Sequence, residues 1–429
     1  MLQNTPDSLL PNLPDESGVK PAAPGTLMVT RVPVFEGKAR VWGYDLLLDD
    51  SDGGSPGQSI SPDDPPAQAA ALSAAFALVM PFLAKDEKLN LPMTEALILN
   101  NAAYMFPATA CCLILSGPIT DAAALNAALT KLKNDSYLTA APCSRHQPDM
   151  AQCLSQAGIA RLNIREFAPD ELKLTGKWLA DRGLDVLVEN VKPEEVDLCL
   201  ELGFKYLEGD IHKHGSVVTG KSLSSSQIVK TRLLKVLSDP EWETADVAAL
   251  IRADVSLAYR LLRYLNSAHF SLPGAITSIE SSVVLLGRIG LEQWIYVTVC
   301  ADMGAGPLAK HIVNTAAFRG KFLELLAGES NQETPPKETL FMLGLFSMLE
   351  ALLNAPLQDI AAEIKIDEEI TRTLQGEDTQ YQPWFSLLLD YEHGRWDSIR
   401  AEAASLGLSP RDVSSAYTRA MTWMSGVFE

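Results

Sequence analysis

The sequence is short of the residues that soft-metal and disulfide chemistry require. Its 6 cysteines (Cys111, Cys112, Cys143, Cys153, Cys199 and Cys300) lie in apolar segments with no CxxC pair and no metal-ligand rhythm, so reduced, mostly buried thiols are expected. Histidine is equally sparse at 6, and His212-Lys213-His214 is the only close pair, too few ligands for a structural zinc site. Basic charge is also in deficit. Lys and Arg number 35 against 54 Asp and Glu, and the net charge of -19 argues against broad binding to a nucleic-acid backbone or to an anionic membrane surface. The N-terminus has only Leu9-Leu10 as an apolar run and no basic lead-in, so no signal peptide is expected. Long apolar runs are missing too. Ala96 to Thr120 is uncharged, but Asn100, Asn101, Pro107, Gly117 and Pro118 interrupt it, which predicts helix, turn and buried strand instead of a membrane span. A cytoplasmic protein without membrane insertion and without a nucleic-acid partner is the expectation.

What is present divides the chain. At 429 residues, with 47% apolar and 21% charged, two or three ordinary globular domains are expected. Residues 1–25 read as a disordered leader. Leu27 to Phe35 and Arg40 to Leu48 alternate or run apolar as strands around a Glu36-Gly37-Lys38 turn, which is a hairpin signal. Asp49 to Pro66 is an acidic loop rich in Gly, Ser and Pro, and Ala67 to Ala84 follows as an alanine-rich helix. Strand-like runs at Leu89–Leu91, Cys111–Leu115, Leu138–Ala140, Ile159–Ile164, Leu184–Val188 and Tyr206–Gly209 then alternate with helix-like runs. Such alternation means parallel strands with crossover helices, and with the hairpin the strand count of eight suits a closed α/β barrel.

From Ile228 to Met303 the pattern becomes a series of short amphipathic helices. Ile228 to Leu237 puts Val229, Leu233 and Leu237 on one face and stops at Asp239-Pro240. Thr244 is placed to cap a second helix carrying Val247, Leu250 and Ile251. Asp254 is placed to cap a third, with Leu257, Leu261, Leu262 and Leu265 as its stripe. Thr277 and Glu280 read as a capping box ahead of Val283 and Leu286, punctuated by Gly287 and Gly290. Helices this short persist only when packed together, so a compact all-helical domain follows. Further helices are expected over Leu308 to Ala327 with Gly328 as stop, over Pro336 to Asn354, and in shorter pieces to Phe428. Trp384, Trp396 and Trp423 are irregularly spaced and read as core residues.

Two stretches resemble known families. Ile251 to His269, with Leu261-Leu262-Arg263 and Asn266-Ser267-Ala268, followed by Ile279 to Gly287 with Leu285-Leu286-Gly287, resembles the HDOD domain of bacterial signalling proteins. Arg31 to Phe35, then Val41-Trp42-Gly43-Tyr44-Asp45-Leu46-Leu47-Leu48, resembles the start of an EAL domain, a modified barrel that hydrolyses cyclic di-GMP; the resemblance continues thinly to about Leu223. Tyr391-Glu392-His393-Gly394-Arg395-Trp396 and the closing helices are similar to the tail of proteins that pair degenerate EAL and HDOD domains. The architecture implied is α/β plus all-α: an EAL-like modified TIM barrel over residues 26–222, then an HDOD helical domain with a C-terminal extension over residues 226–429.

The EAL resemblance also implies a site. Phosphodiester hydrolysis in such a barrel needs carboxylates converging at the C-terminal strand ends to hold hard cations. Asp45 stands where the signature glutamate would be, and Asn90 matches an asparagine ligand. Ile114 falls on the fourth-strand glutamate, and Ala141-Pro142 on the paired aspartates of the fifth. Arg161 and Asn163 replace a lysine and an aspartate, Glu189 matches a glutamate, and Glu208 stands where glutamine is usual. In the helical half, Ser347-Met348 occupies the place of the His-Asp pair of HD-type hydrolases. Asp45, Asn90, Arg161, Glu189 and Glu208 are therefore expected to be remnant scaffold positions, with no cofactor and no catalysis.

The implied role is contact with other signalling or regulatory proteins. Arg260 and Arg263 lie opposite the leucine stripe and Arg288 lies at a glycine-flanked turn; with Asn266 and His269 they form a candidate interaction surface in an otherwise acidic chain. His269 itself reads as closing a helix C-terminus. Two alternatives stay open. One is weak magnesium-dependent hydrolysis of cyclic di-GMP on Asp45, Asn90 and Glu189; the other is a sensor that binds cyclic di-GMP uncut, with Arg161 on a phosphate.

Overall fold

The structure is a computed structural model describing residues 27–38, 40–49, 64–143, 155–211, 241–266, 278–303, 308–353, 356–364 and 366–428, with 233, 236, 237, 270 and 276 as single positions. Its first half is a closed barrel of strands in sequential order. β1 (Met28–Glu36) and β2 (Arg40–Asp49) form the expected hairpin, with Gly37 at φ 56° in the turn. β3 (Lys88–Thr94), β4 (Cys111–Ser116), β5 (Leu138–Pro142), β6 (Ile159–Asn163), β7 (Asp185–Val191) and β8 (Tyr206–Gly209) follow. The β2 to β8 neighbours are parallel, and β1 runs antiparallel to both β2 and β8. A tight hairpin can only join antiparallel strands, whereas the remaining links are long enough for crossovers.

α1 (Pro65–Val79), capped by the Asp64 side chain, buries Gln68, Leu72, Ala75 and Val79 at helical spacing. α2 (Glu95–Leu99), α3 (Ala122–Asn134), α4 (Pro169–Ala180) and α5 (Val196–Glu201) complete the described outer helices. The stretch from Ala96 to Thr120 resolves into helix, turn and strand as anticipated. Among the described residues, Pro65–Phe82 is the one stretch long and apolar enough by composition to cross a membrane.

The second half is helical. α6 (Thr244–Ala253) is preceded by Glu243, so Thr244 lies inside the helix instead of capping it. α7 (Val255–Leu265) is capped as anticipated, Asp254 Oδ1 accepting from the Leu257 N–H at 3.2 Å, and Leu257, Leu261 and Leu265 are buried. α8 (Ile279–Met303) is two helices joined across Gly287, whose φ of 66° lets the chain turn where another residue would strain. Its cap is Ser278, whose Oγ accepts from the Ser281 N–H; Thr277, like most of the Ile228 to Leu237 helix, lies outside the described residues. α9 (Ala309–Glu329) runs through Gly328 and ends one residue later, a correction to the expected stop.

α10 (Lys337–Phe346) and α11 (Leu349–Leu353) replace the single helix expected from Pro336 to Asn354. Gly344 explains the close crossing near this break. A Cβ on it would stand 2.4 Å from the Arg319 carbonyl carbon, so only glycine lets α9 and α10 approach so far. α12 (Leu357–Ile364), α13 (Glu368–Leu374), α14 (Gln382–Glu392), α15 (Trp396–Ser405) and α16 (Pro410–Phe428) finish the chain. Trp384 is buried, and Trp396 and Trp423 pack against the same core.

The last helices have a second task. A hairpin brings no crossover helix, so the outer face of β1 would be bare apolar surface. α14 and α16 cover it. Met28 of β1 joins the helical core, and Tyr391 Oη donates to the buried Val29 carbonyl at 2.9 Å. Ser414 Oγ donates to Leu27 O at 3.0 Å, and Arg400 pairs with the buried Asp49 at 2.9 Å. Barrel and helical half therefore share one wall.

Candidate functional site

The barrel mouth follows from strand alternation. Val34, Trp42, Cys112, Ala140, Ile159, Leu187 and Tyr206 form a separate apolar cluster. Side chains two residues apart on a strand share a face. Stepping forward by two from Cys112, Ala140, Ile159, Leu187 and Tyr206 gives Ile114, Pro142, Arg161, Glu189 and Glu208 as the next layer toward the C-terminal strand ends. Asp45 and Asn90 are paired neighbours on β2 and β3, which closes the ring. The five remnant positions are thus gathered in one place, although they span Asp45 to Glu208 in the chain.

Arg161 holds that ring together. Its Nη2 donates to Asp45 Oδ2 at 2.6 Å, and its Nε donates to Glu189 Oε1 at 2.7 Å with Nη2 on the same oxygen. Asn90 Nδ2 donates to Asp45 Oδ1 at 2.6 Å. Burial works against the guanidinium charge, but Asp45 and Glu189 outweigh it and hold the Arg161 pKa above its ordinary value. Both polar ends of Asp45 are thereby engaged by protein donors. Cys112, directly beneath, is kept a thiol, its pKa pushed up to about 12 by burial.

Glu208 stands beside this cluster, accepting from the Asn190 N–H at 3.2 Å. Asn190 adopts φ 61° at an irregularity in β7, which turns its N–H toward β8. Burial, then Asp45 and Glu189, push the Glu208 carboxyl up to about 7. A carboxyl raised in the folded state adds stability below its unfolded value, and that stability is lost as pH rises through the folded value. Unfolding free energy should therefore fall between pH 5 and 8 by on the order of 2 kcal/mol, at about 1.4 kcal/mol per pKa unit. Glu208→Gln should flatten most of that slope in urea titrations. An unchanged slope would refute the assignment.

A two-cation hydrolytic centre does not fit these residues. Asp45 and Glu189 turn to a fixed guanidinium, and Ile114 and Pro142 offer no oxygen where the rim needs more. Among the described residues no group of three or more His, Cys, Asp or Glu side chains is placed to hold a metal ion. Asn90 Oδ1, buried, finds no hydrogen-bond partner among the described residues.

The position corresponding to the HD pair also holds an arginine. Arg319 of α9, 6% exposed, donates to Ser347 Oγ at 2.9 Å and to Met348 Sδ at 3.1 Å. It pairs through two bonds of 2.8 and 2.6 Å with Glu392 of α14. Burial opposes its charge and Glu392 restores it, raising the pKa. Reading the sequence did not single out Arg319; its stretch, Ile312 to Ala327, also holds Lys321 and Glu324, so the charge by itself did not stand out.

The candidate interaction surface is largely tied internally. Arg260 grips Asp302 of α8 with two bonds of 2.9 and 2.6 Å. Arg288 stacks on Trp242 at 4.5 Å, and Arg263 also has partners. Asn266 pins the end of α7, donating to Leu262 O and Ile276 O and accepting from the Ile276 N–H at 2.7 Å. His269 and the His212 to His214 pair lie outside the described residues.

Comparison with known proteins adds to this geometry. The HDOD domain model matches residues 223–374. YuxH of Bacillus subtilis, an uncharacterized protein, is 24% identical over 413 residues, 94% of this chain and 99% of that one. CdgJ of Vibrio cholerae, a cyclic di-GMP phosphodiesterase by name, is 21% identical over 303 residues, 70% of each chain. Among solved structures, an EAL domain protein from Listeria monocytogenes is 11% identical, with a TM-score of 0.37, covering 43% of this chain and 87% of that one. With a closed barrel in front and an HDOD domain at residues 223–374, the chain is consistent with an EAL–HDOD protein.

Proposed function

We propose that this chain is a catalytically silent regulator in cyclic di-GMP signalling, working in the cytoplasm through contacts of its barrel and its HDOD domain with other signalling proteins. One observation carries the reading: the Arg161 guanidinium joins Asp45 and Glu189, the carboxylates that hydrolysis would need turned toward metal-bound water. Arg319 stands likewise beside Ser347 and Met348 in the helical half. An arginine that already satisfies two carboxylates is a poor phosphate clamp, which disfavours the sensor alternative as well.

The relative CdgJ is named a phosphodiesterase, so activity is the reading to test against. Purified full-length chain is titrated calorimetrically with cyclic di-GMP and magnesium, and the same sample is analysed for linear dinucleotide. No product is expected on any timescale at which the dinucleotide is stable. Product that disappears in Glu189→Gln would overturn the silent reading. Heat without product would make the barrel a sensor.

A further inference from the structure

A cavity of about 540 Å³ lies where the hairpin side of the barrel meets α9 and α16. That is within the range of about 300–1,000 Å³ usual for small-molecule sites. We propose that it is a second binding site, for an organic monocarboxylate with a short apolar body, whose carboxylate is held between Arg31 of β1 and Lys310 of α9. This inference is independent of whether the barrel mouth hydrolyses anything, although Glu208 borders both.

The charged groups of the cavity fall into two ends. Of its cations, Arg40 is met by Glu36 and Asp86, and Arg319 by Glu392. His393 Nε2 faces Asp210 Oδ1 at 4.0 Å, and His311 has the Phe35 ring and the Thr315 hydroxyl beside it. Glu208 and Asp210 belong to the β8 end, where Glu208 is in register with Val34, three residues and about 10 Å along β1 from Arg31. At the other end, Arg31 and Lys310 form no ion pair among the described residues. Glu87 interacts electrostatically with both, which places the three together. Its Oε2, however, accepts from the Ala84 N–H at 2.8 Å, and burial holds its carboxyl above the usual range. Two cations therefore face one disfavoured anion, a balance that suits a ligand with a single negative charge.

The state of Arg31 selects a carboxylate. Its guanidinium lies over the Tyr44 ring at 4.4 Å, and its Nη1 donates to the Phe82 carbonyl at 3.2 Å, so the group is fixed in place. The edge formed by Nε and Nη2 makes no bond to a described residue, and such an edge meets the two oxygens of a carboxylate in parallel. Lys310 is exposed in the first turn of α9, whose N-cap residue Leu308 supplies no side-chain bond, so the helix end adds to the positive field. Val41, Leu83 and Leu308, each partly exposed, also line the cavity and give the rest of the molecule apolar surface to cover. A doubly charged phosphate would exceed the balance at this end.

The test is ligand-observed saturation-transfer NMR on the full chain, with octanoate as the probe and octanol as its uncharged counterpart. Octanoate should show saturable transfer at sub-millimolar concentration, and octanol should bind at least about ten-fold more weakly. Arg31→Met should weaken octanoate by about ten-fold or more, and Arg31→Lys, which keeps the charge without the fork, should fall between it and wild type. Lys310→Met, at an exposed position, should cost about three-fold. Thermal melts establish which variants fold; where the Arg31 variants do not, the ratio of octanoate to octanol and the Lys310→Met variant decide. No saturable octanoate binding, equal binding of octanol, or wild-type affinity in every folded variant would each overturn the proposal.

Discussion

Arg161→Met is expected to unfold in urea with a free energy lower by about 3–5 kcal/mol, the usual cost of removing one partner from a buried ion pair. The side chain is 10% exposed and serves two carboxylates on different strands, β2 and β7. Without it Asp45 and Glu189 face each other and Glu208 inside a poorly solvated mouth. The loss is therefore the penalty of stranded charge, which predicts its own cure. Adding Asp45→Asn and Glu189→Gln to Arg161→Met should recover most of the stability, because neutral amides need no counter-ion. A triple variant as unstable as the single one would show that Arg161 matters for its packed volume instead.

The corresponding experiment in the helical half is Arg319→Met, for which a loss of similar size, about 3–5 kcal/mol, is expected. Arg319 is the only described side chain bonded at once to Ser347, Met348 and Glu392, so it ties α9 to the α10–α11 break and to α14. Pairing Arg319→Met with Glu392→Leu should return the protein to within about 1–2 kcal/mol of wild type, since a buried ion pair exchanged for packed apolar groups is often neutral. Denaturant midpoints of the two singles and the double form a cycle whose coupling should be at least about 2 kcal/mol. Additive losses would mean that Arg319 acts mainly through Ser347 and Met348.

These two arginines show how unevenly the site was legible in the sequence. Arg161 drew attention because a family pattern expects lysine there, yet its partners were unreadable. Asp45 and Glu189 lie 116 and 28 residues away along the chain, and barrel closure alone brings them within bonding distance. Arg319 carried no mark of its own, since the same helix also holds Lys310, Lys321 and Glu324. At the candidate surface around Arg260, Arg263 and Arg288, the sequence left the internal partners unread. Helical spacing places Arg260 and Arg263 away from the leucine stripe and leaves Arg288 at a glycine-flanked turn, but it cannot tell solvent from a neighbouring segment that brings Asp302 to Arg260 or Trp242 to Arg288.

The sequence by itself determined the periodicities: eight strand-length runs, a hairpin turn at Gly37, amphipathic helices with Asp254 as a cap and Gly287 as a break. Those signals are local, since alternation, capping and glycine conformation depend on residues within a few positions of one another. Only the tertiary structure decided that α14 and α16 cover β1, and that Arg161 and Arg319 each sit among carboxylate and polar partners. Each depends on groups brought together by closure and packing over long separations, for which the one-dimensional pattern has no period.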